Sequence, residues 1–439
     1  MFLPKPVLLC MRTLEQAGFE AYAVGGCVRD SLLGLTPHDY DLCTNATPPE
    51  TAALFPDYTL VRSGEKHGTI GVVVEGQVIE ITTFRTEGGY QDSRHPSWVK
   101  FVSCVEEDLS RRDFTVNAMA YNPARGYIDP FGGQADLQSK ILRTVGDPEA
   151  RFTEDALRIL RGVRFGVRFD LTAEDATLRA MNALAPQMDK LARERVFDEL
   201  CKLLPLVKAK DLLTYRNILA QVVPPLAPCI GFLQHNPHHL YDVYTHTAYV
   251  VEAAPADLAL RWAALLHDCG KPQCFQLDEN GIGHFYGHAQ VSATLAESLL
   301  FSLKAPTALR EQVVFLIDHH MTQWEQDKKL LRRRLGKYGV QGFFDLLALE
   351  KADCGADSSV NFETIEALAR EILSEEACLT VKDLAIDGRD LLSLGFPAGK
   401  ALGACLSYLL EQVQDEQISN DRLPLLDAAK LFLQKETDL

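Results

Sequence analysis

The sequence predicts an α+β fold in which a small mixed α/β head precedes a long helical body. Three observations predict this organisation. Short β-branched runs are confined to about the first 140 residues, whereas apolar residues beyond residue 137 recur at helical spacing. The length of 439 residues corresponds to about three domains of ordinary size. Hydrophobic residues make up 47% and charged residues 24% of the chain, which is typical of globular proteins and excludes wholesale disorder.

The elements predicted for the head alternate between short strands and helices. In chain order they are a strand over residues 22–24, a helix over 28–33, a strand over 40–43, a helix over 48–55 that two prolines open, and strands over 68–74 and 78–84. The last two strands flank Glu75-Gly76-Gln77, which predicts a hairpin with a three-residue loop that contains glycine.

The body is predicted to be entirely helical and to divide at two changes of composition. Helical spacing is clearest over residues 150–165, 173–191 and 195–204. A proline-rich segment at residues 224–237 and a shift near residues 355–361 indicate boundaries. The predicted domains are therefore a head (1–140), a neck (141–230), a third domain (231–355) and a tail (356–439).

A turn rich in glycine indicates a phosphate site in the head. Gly25 and Gly26 lie between the first strand and the following helix, where backbone N–H groups and the positive end of the helix can receive a phosphate. Arg29 lies in the first turn of that helix, and its guanidinium can bind phosphate through two hydrogen bonds. Two glycines are also typical of an ordinary tight turn, so the arginine strengthens the case for phosphate.

Three carboxylates indicate a magnesium site beside this turn. Asp39 and Asp41 are two residues apart on a predicted strand, so their side chains are expected on the same face. Glu80 interrupts an otherwise apolar strand, where a lone carboxylate is costly unless it faces a site. Close carboxylates repel each other unless a cation lies between them. The set favours Mg²⁺-dependent phosphoryl or nucleotidyl transfer, whereas Asp39 and Asp41 alone would suit a solvated strand end.

Five blocks of sequence between about residues 20 and 170 resemble a known family and occur in its order. They read GGCVRDSLLGLTPHDYDLCTNATP, ITTFRTEGGYQDSRHP, EEDLSRRDFTVNAMAYNP, YIDPFGGQADLQSKILRTVGDP and EDALRILRGVRF. They resemble the class II tRNA nucleotidyltransferases (CCA-adding enzymes) and the bacterial poly(A) polymerases. The resemblance implies a polymerase-beta-like head in which Asp39 and Asp41 hold two catalytic Mg²⁺ ions, with Glu80 as a third carboxylate. It also implies that the glycine turn and Arg29 hold the nucleoside triphosphate.

The same resemblance implies that further charged residues bind the nucleotide. Arg111, Arg112 and Asp113 of the RRDFT block would contact ribose and phosphate, although such a cluster could also be a solvated group of charges. Arg161 and Arg164 continue the helical spacing of the last block and would bind phosphate.

The resemblance further implies a protein template for the incoming base. Asp155 and Arg158 are three residues apart on a predicted helix, where they could also form a simple ion pair. As a template, Asp155 would accept from the exocyclic amino group of C or A, and Arg158 would donate to ring nitrogens. Residues 91–96 correspond to the flexible loop that the family needs for A addition, with His95 where another basic residue is more usual.

A second constellation, in the body, resembles the HD phosphohydrolase superfamily. His246, the pair His267-Asp268 and Asp353 fill its H…HD…D pattern, which implies a metal site in a unit embedded between neck and tail. Further candidate ligands, for a second metal, are His288, His319 and His320. Imidazole and carboxylate ligands suit Mn, Fe, Co, Ni or Zn, and an open coordination position would make the site hydrolytic. The alternative is a domain that has kept its helices and lost turnover.

Net charge and local charge give opposite indications about nucleic acid. The chain has 44 Lys and Arg against 60 Asp and Glu, a net charge of −16, which by itself disfavours binding to phosphate backbones. Two basic rows nevertheless predict a focused RNA track that reads duplex shape. They comprise Lys328, Lys329, Arg332, Arg333, Arg334 and Lys337 in the body, and Arg143, Arg151, Arg158, Arg161, Arg164 and Arg168 in the neck.

The remaining composition predicts a cytoplasmic protein with no membrane partner. The eleven cysteines are scattered without a C-x-x-C pair, which indicates neither a zinc ribbon nor a disulfide framework. The N-terminus lacks a signal-peptide pattern, and the chain has no apolar stretch of membrane-spanning length. The sequence leaves the oligomeric state open.

The predicted function is template-independent completion or repair of the 3′-terminal CCA of tRNA from CTP and ATP, with release of pyrophosphate and with a phosphohydrolase activity of the HD unit in addition. Within the family, an A-adding enzyme or a poly(A) polymerase is the alternative. From other classes, the alternatives are an HD phosphohydrolase with a binding-only head and a non-catalytic RNA-binding protein. The presence of Asp39, Asp41 and Arg29 disfavours the last two.

Overall fold

The structure, a computed structural model, describes residues 1–88, 98–236, 240–355, 360–375 and 378–437. The chain divides into two compact units, residues 1–227 with 301–305 and residues 228–300 with 306–439. The break near residue 227 falls inside the proline-rich segment, while the finer division into four domains stays a prediction. Within the described ranges, no helix is both long enough and apolar enough to cross a membrane.

The first unit contains the four strands predicted for the head, near residues 22, 41, 70 and 80, together with five strands that the sequence did not predict. They are β1 (Ala21–Val24), β2 (Asp41–Thr44), β3 (Thr59–Val61), β4 (Thr69–Val74), β5 (Gln77–Thr83), β6 (Arg85–Gly88), β7 (Trp98–Phe101), β8 (Ala120–Asn122) and β9 (Gly126–Ile128). Seven of them form one sheet in the order β3-β4-β5-β2-β1-β8-β9, and β6 pairs with β7 in a separate hairpin. Only β2 and β5 run parallel in that sheet, and this pair lies at its centre.

Eleven α-helices accompany these strands in the described part of the first unit. They are α1 (Lys5–Gln16), α2 (Gly26–Leu32), α3 (Pro48–Leu54), α4 (Val105–Ser110), α5 (Gly133–Gln138), α6 (Pro148–Glu154), α7 (Leu157–Phe169), α8 (Asp175–Leu184), α9 (Arg193–Leu203), α10 (Ala209–Thr214) and α11 (Arg216–Val222). Side chains from β1, β2, β8 and α4 form a buried core against the sheet that includes Tyr22, Val24, Cys43, Val105, Leu109 and Ala120. This core fixes the strand ends that carry the candidate site.

The second unit consists mainly of helices. They are α12 (Val243–Ala253), α13 (Leu258–Leu266), α14 (Lys271–Cys274), α15 (His288–Ser302), α16 (Thr307–His319), α17 (Lys328–Cys354), α18 (Phe362–Ser374), α19 (Gly388–Ser393), α20 (Lys400–Gln414) and α21 (Arg422–Thr437). A separate core in the tail is built from buried residues that include Leu384, Leu391, Phe396, Cys405, Leu409 and Leu425.

The prediction of an entirely helical body is wrong in detail. Two short strand pairs occur beyond residue 137: β10 (Ile141–Leu142) with β11 (Thr172–Ala173), and β12 (Gln276–Leu277) with β13 (Gly283–His284). Such two-residue ladders have no periodicity of their own, because they are set by the turns and helices that flank them. The largely helical character of the remainder is confirmed.

Two local predictions for the head are also corrected. Helix α2 begins at Gly26 rather than at Val28, because the turn at Gly25 already directs the chain into the helix. The β4–β5 hairpin has a two-residue loop rather than three, since Glu75 and Gly76 both take positive φ, +50° and +79°. Positive φ at both positions is the signature of a type I′ turn, which matches the twist of the paired strands.

Candidate functional sites

The central strands of the head bring two acidic residues side by side. Asp41 at the start of β2 is the register partner of Glu80 in β5. Burial raises the pKa of Asp41, the charges of Glu80 and Asp39 raise it further, and Arg112 opposes them. Burial is the largest cause of this raised pKa, and the neighbouring negative charges add a smaller repulsion that a bound cation would relieve.

The prediction that Asp39 shares a strand with Asp41 is wrong. β2 begins at Asp41, and Asp39 lies in the irregular segment before it, largely exposed, with its Oδ1 3.0 Å from Nδ1 of His38. The reason is the register of β1, which ends at Val24 opposite Asp41 and therefore leaves the earlier residues without that neighbouring strand. Asp39 remains near enough for its charge to raise the pKa of Asp41.

The glycine turn directly follows β1 and lies against an arginine. Gly25 has a φ of +75° and donates its N–H to the carbonyl of Met119 at 3.1 Å. Glycine adopts such a φ without steric cost. The guanidinium of Arg112 packs closely against this turn, since a Cβ on Gly25 would lie 2.8 Å from its Nη1. Arg112 is therefore held beside both the turn and Asp41.

A buried carboxylate that sequence reasoning missed holds the two arginines of the RRDFT block. Asp108 accepts from Nε and Nη2 of Arg111, each at 3.0 Å, and lies 3.5 Å from Nη2 of Arg112. It also accepts the backbone N–H of Arg85 at 3.2 Å. The available signal was its spacing, since an acid three and four residues before adjacent arginines can pair with both on a helical turn.

Arg29 is buried and already has protein partners. Its Nε and Nη2 donate to Oδ1 of Asp30 at 2.8 and 2.6 Å, and Nη1 donates to Oδ1 of Asn117. Its guanidinium lies 4.2 Å from the ring centroid of Phe169. Burial lowers the pKa of Arg29, and the charge of Asp30 offsets part of that effect. The predicted contact of Arg29 with a triphosphate stays a prediction, and it would require these partners to rearrange.

Asp113 is fully engaged by neighbouring donors. Its Oδ1 accepts from the backbone N–H of Phe114 at 2.9 Å and from Nδ2 of Asn117 at 3.1 Å, and its Oδ2 accepts from Nε of Arg161 at 2.8 Å. Burial acts to raise the pKa of Asp113, but the charge of Arg161 and these hydrogen bonds lower it to about 2. Asp113 is therefore ionised and ties the head to helix α7.

The helix predicted over residues 150–165 is interrupted at Asp155, so Asp155 and Arg158 do not lie on one continuous helix. Asp155 has extended backbone angles, φ −145° and ψ 103°. Its Oδ1 accepts the N–H of Leu157 at 3.0 Å and so starts α7, while its Oδ2 accepts from Nη2 of Arg195 at 2.8 Å. An aspartate that bonds the backbone ahead of it competes with helix continuation, which explains the break.

Three arginines of α7, Arg158, Arg161 and Arg164, are paired with carboxylates. Arg158 donates to Oε2 of Glu154 at 2.6 Å and to the carbonyl of Arg111 at 3.1 Å. Arg164 donates to Oε2 of the buried Glu199 at 2.6 Å. The proposed roles of these arginines toward base and phosphate stay predictions.

The second unit assembles the predicted histidine–aspartate constellation around one carboxylate. Asp268 Oδ2 lies 3.3 Å from Nε2 of His267 and 3.6 Å from Nε2 of His246, and Asp268 Oδ1 lies 3.4 Å from Nε2 of His288. Asp353 Oδ1 lies 2.8 Å from Nε2 of His246. Five helix ends, from α12, α13, α15, α16 and α17, converge here and carry these side chains.

The structure corrects one member of the constellation, because His320 rather than His319 faces it. Nε2 of His320 lies 3.2 Å from Nε2 of His288, so two ligand sets share Asp268. The sets are His246, His267 and Asp268, and Asp268, His288 and His320, with ligand atoms within 4.8 Å of one another. Nδ1 of His319 instead lies 3.0 Å from the carbonyl of Phe315. Adjacent residues at a helix end project in different directions, so only one of them can reach the cluster.

Protonation balances charge in the metal-free cluster. Burial alone would lower the pKa of His267, but the charges of Asp268 and Asp353 outweigh it and raise that pKa to about 10. Burial and the positive charge of His267 lower the pKa of His320 to about 4. A protonated His267 therefore stands between two carboxylates, and a divalent cation can replace that proton.

A buried lysine and a cavity adjoin this cluster. Nζ of Lys271 lies 2.7 Å from Oδ2 of Asp268 and donates to Oε1 of Gln234 at 2.9 Å. A cavity of about 750 Å³ opens onto Asp268, Lys271 and Asp353. Sequence reasoning passed over Lys271, although its position three residues after Asp268 was a usable signal.

Three family models match separate parts of the chain. The Poly A polymerase head domain matches residues 21–143, and an RNA and SrmB-binding site of polymerase A matches residues 170–230. A tRNA nucleotidyltransferase domain 2 matches residues 275–429. The head, the neck and most of the second unit are thus each similar to parts of RNA nucleotidyltransferases.

Full-length relatives decide the family. The chain is 35% identical over 440 residues to a CCA-adding enzyme of Levilactobacillus brevis, an alignment that covers 97% of this chain and 96% of that one. It is 34% identical to the CCA-adding enzyme of Limosilactobacillus fermentum with the same coverage. The chain belongs to the CCA-adding enzyme family. The resemblance stated from the sequence blocks is thereby confirmed.

A solved structure of this family has the same fold. The Bacillus stearothermophilus CCA-adding enzyme in complex with CTP superimposes with a TM-score of 0.77 at 28% identity, and all of both chains is covered. The predicted fold class, a sheet-containing head with a largely helical remainder, is confirmed. The loop over residues 91–96, including His95, lies outside the described residues.

Many cations of the two basic rows form ion pairs with acids of the chain. In the body row, Arg332 pairs with Glu416, and Arg333 pairs with Asp415 at 2.7 Å. In the neck row, Arg143, Arg151, Arg158, Arg161 and Arg164 all have acidic partners. The predicted RNA track stays a prediction, and these side chains would have to exchange a carboxylate for a phosphate to take part in it.

Proposed function

We propose that this protein completes and repairs the 3′-terminal CCA of tRNA, using CTP and ATP and releasing pyrophosphate. The observation that carries the proposal is the placement of Asp41 beside Glu80 at the glycine turn, in a chain of the CCA-adding enzyme family. The Bacillus stearothermophilus relative binds CTP, and a Thermotoga maritima CCA-adding enzyme of similar fold binds tRNA. A cytoplasmic location, where tRNA matures, accompanies the proposal.

The acidic group of the head fits divalent cations. Asp41 and Glu80 are register partners, and the charge of Glu80 adds to the effect of burial in raising the pKa of Asp41. Asp41, Glu80 and Asp39 would hold two Mg²⁺ ions, which when bound favour ionisation of the attacking 3′-hydroxyl and neutralise charge on the pyrophosphate that leaves. Arg112, which lies against the Gly25 turn, would bind the phosphates from the opposite side.

Base selection would belong to the start of α7. Asp155 would accept from the exocyclic amino group that C and A share and that U lacks, while Arg158 would donate to the ring. Glu154 and Arg195 hold these two side chains in the nucleotide-free protein. Because the amino group is common to C and A, one template would serve both nucleotides.

Incorporation assays separate this function from its alternatives. The protein is incubated with tRNA that lacks CCA, tRNA that ends in CC, or oligo(A), each with CTP, ATP or both. CCA addition requires incorporation of C with CTP alone and a stop after one A with both nucleotides. Incorporation of A alone onto CC ends would identify an A-adding enzyme, and long A tails would identify a poly(A) polymerase.

Substitution of the acidic pair tests the assignment of the head. Asp41→Asn and Glu80→Gln remove charge without a change of shape, and we expect each to lower incorporation by at least about 100-fold because cation binding is lost. The matched controls Asp57→Asn and Glu75→Gln change exposed acids of the same unit and should retain activity. Full activity of both site variants would contradict the assignment.

The cluster around Asp268 favours a second function in the same chain. We infer that it binds one or two transition-metal ions such as Mn, Ni, Co, Fe or Zn and hydrolyses nucleoside phosphates. The buried set of three or four imidazoles with two carboxylates fits such ions, which when bound supply a nucleophilic hydroxide. His246, His267, Asp268 and Asp353 would hold one ion, and His288 with His320 would complete a second position.

Metal titration and hydrolysis test this second function. Mn²⁺ affinity should rise about tenfold per pH unit below pH 10, because binding displaces the proton of His267, whose pKa is about 10. Asp268→Asn should abolish Mn²⁺ binding and any hydrolysis of 2′,3′-cAMP. The control Asp427→Asn changes an exposed acid of α21 in the same unit, outside both ligand sets and away from the cavity. Wild-type protein that binds none of these metals would contradict the inference.

A further inference from the structure

The cavity beside the Asp268 cluster is larger than a phosphate group needs. Its volume of about 750 Å³ lies in the range of pockets that hold whole small molecules. One wall carries the ligands Asp268, His288 and His320 together with the cation of Lys271. Another part of the lining is aromatic, so the cavity joins a charged end to an apolar one.

The aromatic part contains a preformed stacked pair. The rings of His284 and Tyr286 lie parallel within 5°, with centroids 5.4 Å apart. Tyr286 is 73% exposed although it lines the cavity, so one ring face is available to a ligand. Tyr286 Oη lies 3.4 Å from Nδ1 of His284, which connects the two rings through their polar atoms.

A tight turn holds this pair in place. Nε2 of His284 lies 3.2 Å from Oδ2 of Asp278, and Oδ1 of Asp278 accepts the backbone N–H groups of Asn280 and Ile282 at 2.8 and 2.9 Å. The turn between β12 and β13 therefore fixes the imidazole before any ligand arrives. A ring fixed in advance loses little conformational entropy on stacking.

We propose that the His284–Tyr286 pair is a platform on which a nucleobase stacks, so that the cavity selects a nucleoside carrying phosphate on its ribose over phosphate esters without a base. The proposal rests on the second function proposed above and names its substrate class. The phosphate would lie toward Lys271 and the ligand cluster. Bases of every kind have a ring face, so the platform would favour nucleotides without selecting one sequence.

Kinetics on two substrates test the platform. Hydrolysis of 2′,3′-cAMP is compared with that of ethylene glycol cyclic phosphate, which has the same reactive ring and no base. Tyr286→Ala should raise KM for 2′,3′-cAMP about 5- to 100-fold, the effect of losing one base stack, with kcat and the base-free reaction unchanged. Tyr286→Phe should retain the wild-type KM, because the ring remains. Tyr249→Ala removes an exposed tyrosine of α12 that does not line the cavity, and serves as the control.

Binding without turnover separates failure of the platform from failure of the hydrolase. In EDTA, equilibrium dialysis should show weaker binding of 2′,3′-cAMP to Tyr286→Ala than to wild type, whereas Asp41→Asn, which alters the head, should leave that binding unchanged. Protein that binds in this way and hydrolyses nothing would refute the hydrolase and support the platform. The platform would be refuted if Tyr286→Ala raised KM equally for both substrates. It would also be refuted if Tyr286→Ala did not differ from wild type in either assay.

A third comparison shows whether the substrate is an RNA end or a free nucleotide. A tRNA whose 3′ end carries a 2′,3′-cyclic phosphate is set against free 2′,3′-cAMP at equal concentration. If the substrate is an RNA end, Tyr286→Ala raises KM for the tRNA as well, and if it is a free nucleotide, only the KM for 2′,3′-cAMP changes. Either pattern supports the platform, and no change with either substrate contradicts it.

Discussion

Asn117 connects two charged groups of the head that the sequence places far apart. Its Oδ1 accepts from Nη1 of Arg29, and its Nδ2 donates to Oδ1 of Asp113 at 3.1 Å. Arg161 of α7 binds the other oxygen of Asp113, so one buried chain of hydrogen bonds runs from α2 to α7. An amide suits this position because it accepts at one atom and donates at the other.

Removal of the Asn117 amide should lower both the stability of the protein and its incorporation of nucleotides. Asn117→Ala leaves a buried donor of Arg29 without its acceptor, so we expect the free energy of unfolding in urea to fall by about 1–3 kcal/mol. Incorporation of C and A should fall as well. The control Asn182→Ala changes an exposed amide of α8 and should stay within about 0.5 kcal/mol of wild type.

An exchange variant distinguishes the hydrogen-bond chain from simple packing. Asp113→Asn combined with Asn117→Asp keeps an acceptor for Arg29 and a donor between the two positions. The double variant should be more stable than the sum of the single changes predicts, by at least about 0.5 kcal/mol. Strict additivity would show that the chain contributes nothing as a unit.

The sequence predicts which residues lie in the two sites better than it predicts which side chains they contact. The carboxylate that interrupts an apolar strand was enough to predict Glu80 beside Asp41, and the resemblance to the HD superfamily predicted the histidines around Asp268. Asp108 and Asn117 were missed because their importance comes from buried contacts with residues of other elements. His319 was named beside His320 although it does not face the cluster, because the direction of a side chain at the last turn of a helix depends on where the helix ends.

Helix α17 shows how a single glycine organises an element. Gly339 has φ +70° and ψ 163° inside Lys328–Cys354, so the element consists of two helical segments. The first carries the basic row and the second ends at the metal-ligand candidate Asp353. This backbone conformation is nearly restricted to glycine.

Alanine at Gly339 should be destabilising for a conformational reason alone. A Cβ there meets no atom within 4 Å, so strain rather than collision is tested, and we expect a loss of more than about 1 kcal/mol in the free energy of unfolding. Gly403 in α20 is the matched site, since its Cβ also meets no atom within 4 Å but its backbone is helical. Gly403→Ala should stabilise by about 0.5–1 kcal/mol. The same sign for both variants would be inconsistent with this account.

The exact ends of helices and strands depend on local side-chain hydrogen bonds and backbone angles, which the spacing of apolar residues does not reveal. Asp155 bonds the backbone ahead of it and splits one predicted helix into α6 and α7. Glu75 and Gly76 shorten a predicted three-residue loop to two because both adopt positive φ. The four predicted strands and most helices were confirmed, whereas β3, β6, β7, β8 and β9 carry too few residues for a periodic signal.

For the whole molecule, internal pairing changes the meaning of the acidic composition. The net charge is −16, and Lys328, Arg332 and Arg333 of the basic row bind acids of the second unit. Few of these cations are therefore available to replace counterions on RNA. Their pairing stabilises the packed helices of the tail more than it attracts a polyanion.

Salt dependence of tRNA binding should accordingly be shallow. With about four contacts to phosphate, from the cations of the two rows outside these ion pairs, affinity should fall about 100-fold between 50 and 200 mM salt in filter binding, whereas six to ten contacts would lose about 10³ to 10⁵. Arg333→Gln should lower the thermal stability of the protein and leave tRNA affinity within about twofold. A steep salt dependence together with a large loss of tRNA affinity in Arg333→Gln would show that the paired cations do contribute to RNA binding.

The two candidate sites draw their residues from separate compact units and have no side chain in common. This separation means that a mutation can inactivate one site and leave the other unchanged. Since Asp268 belongs to both ligand sets of the second unit, one altered codon there would erase the proposed hydrolysis entirely, while every codon of the head site stays intact. If the second unit is a hydrolase, a lineage could discard that activity in a single step and keep its tRNA mature, and intact ligand sets in a genome would mark continued selection for it.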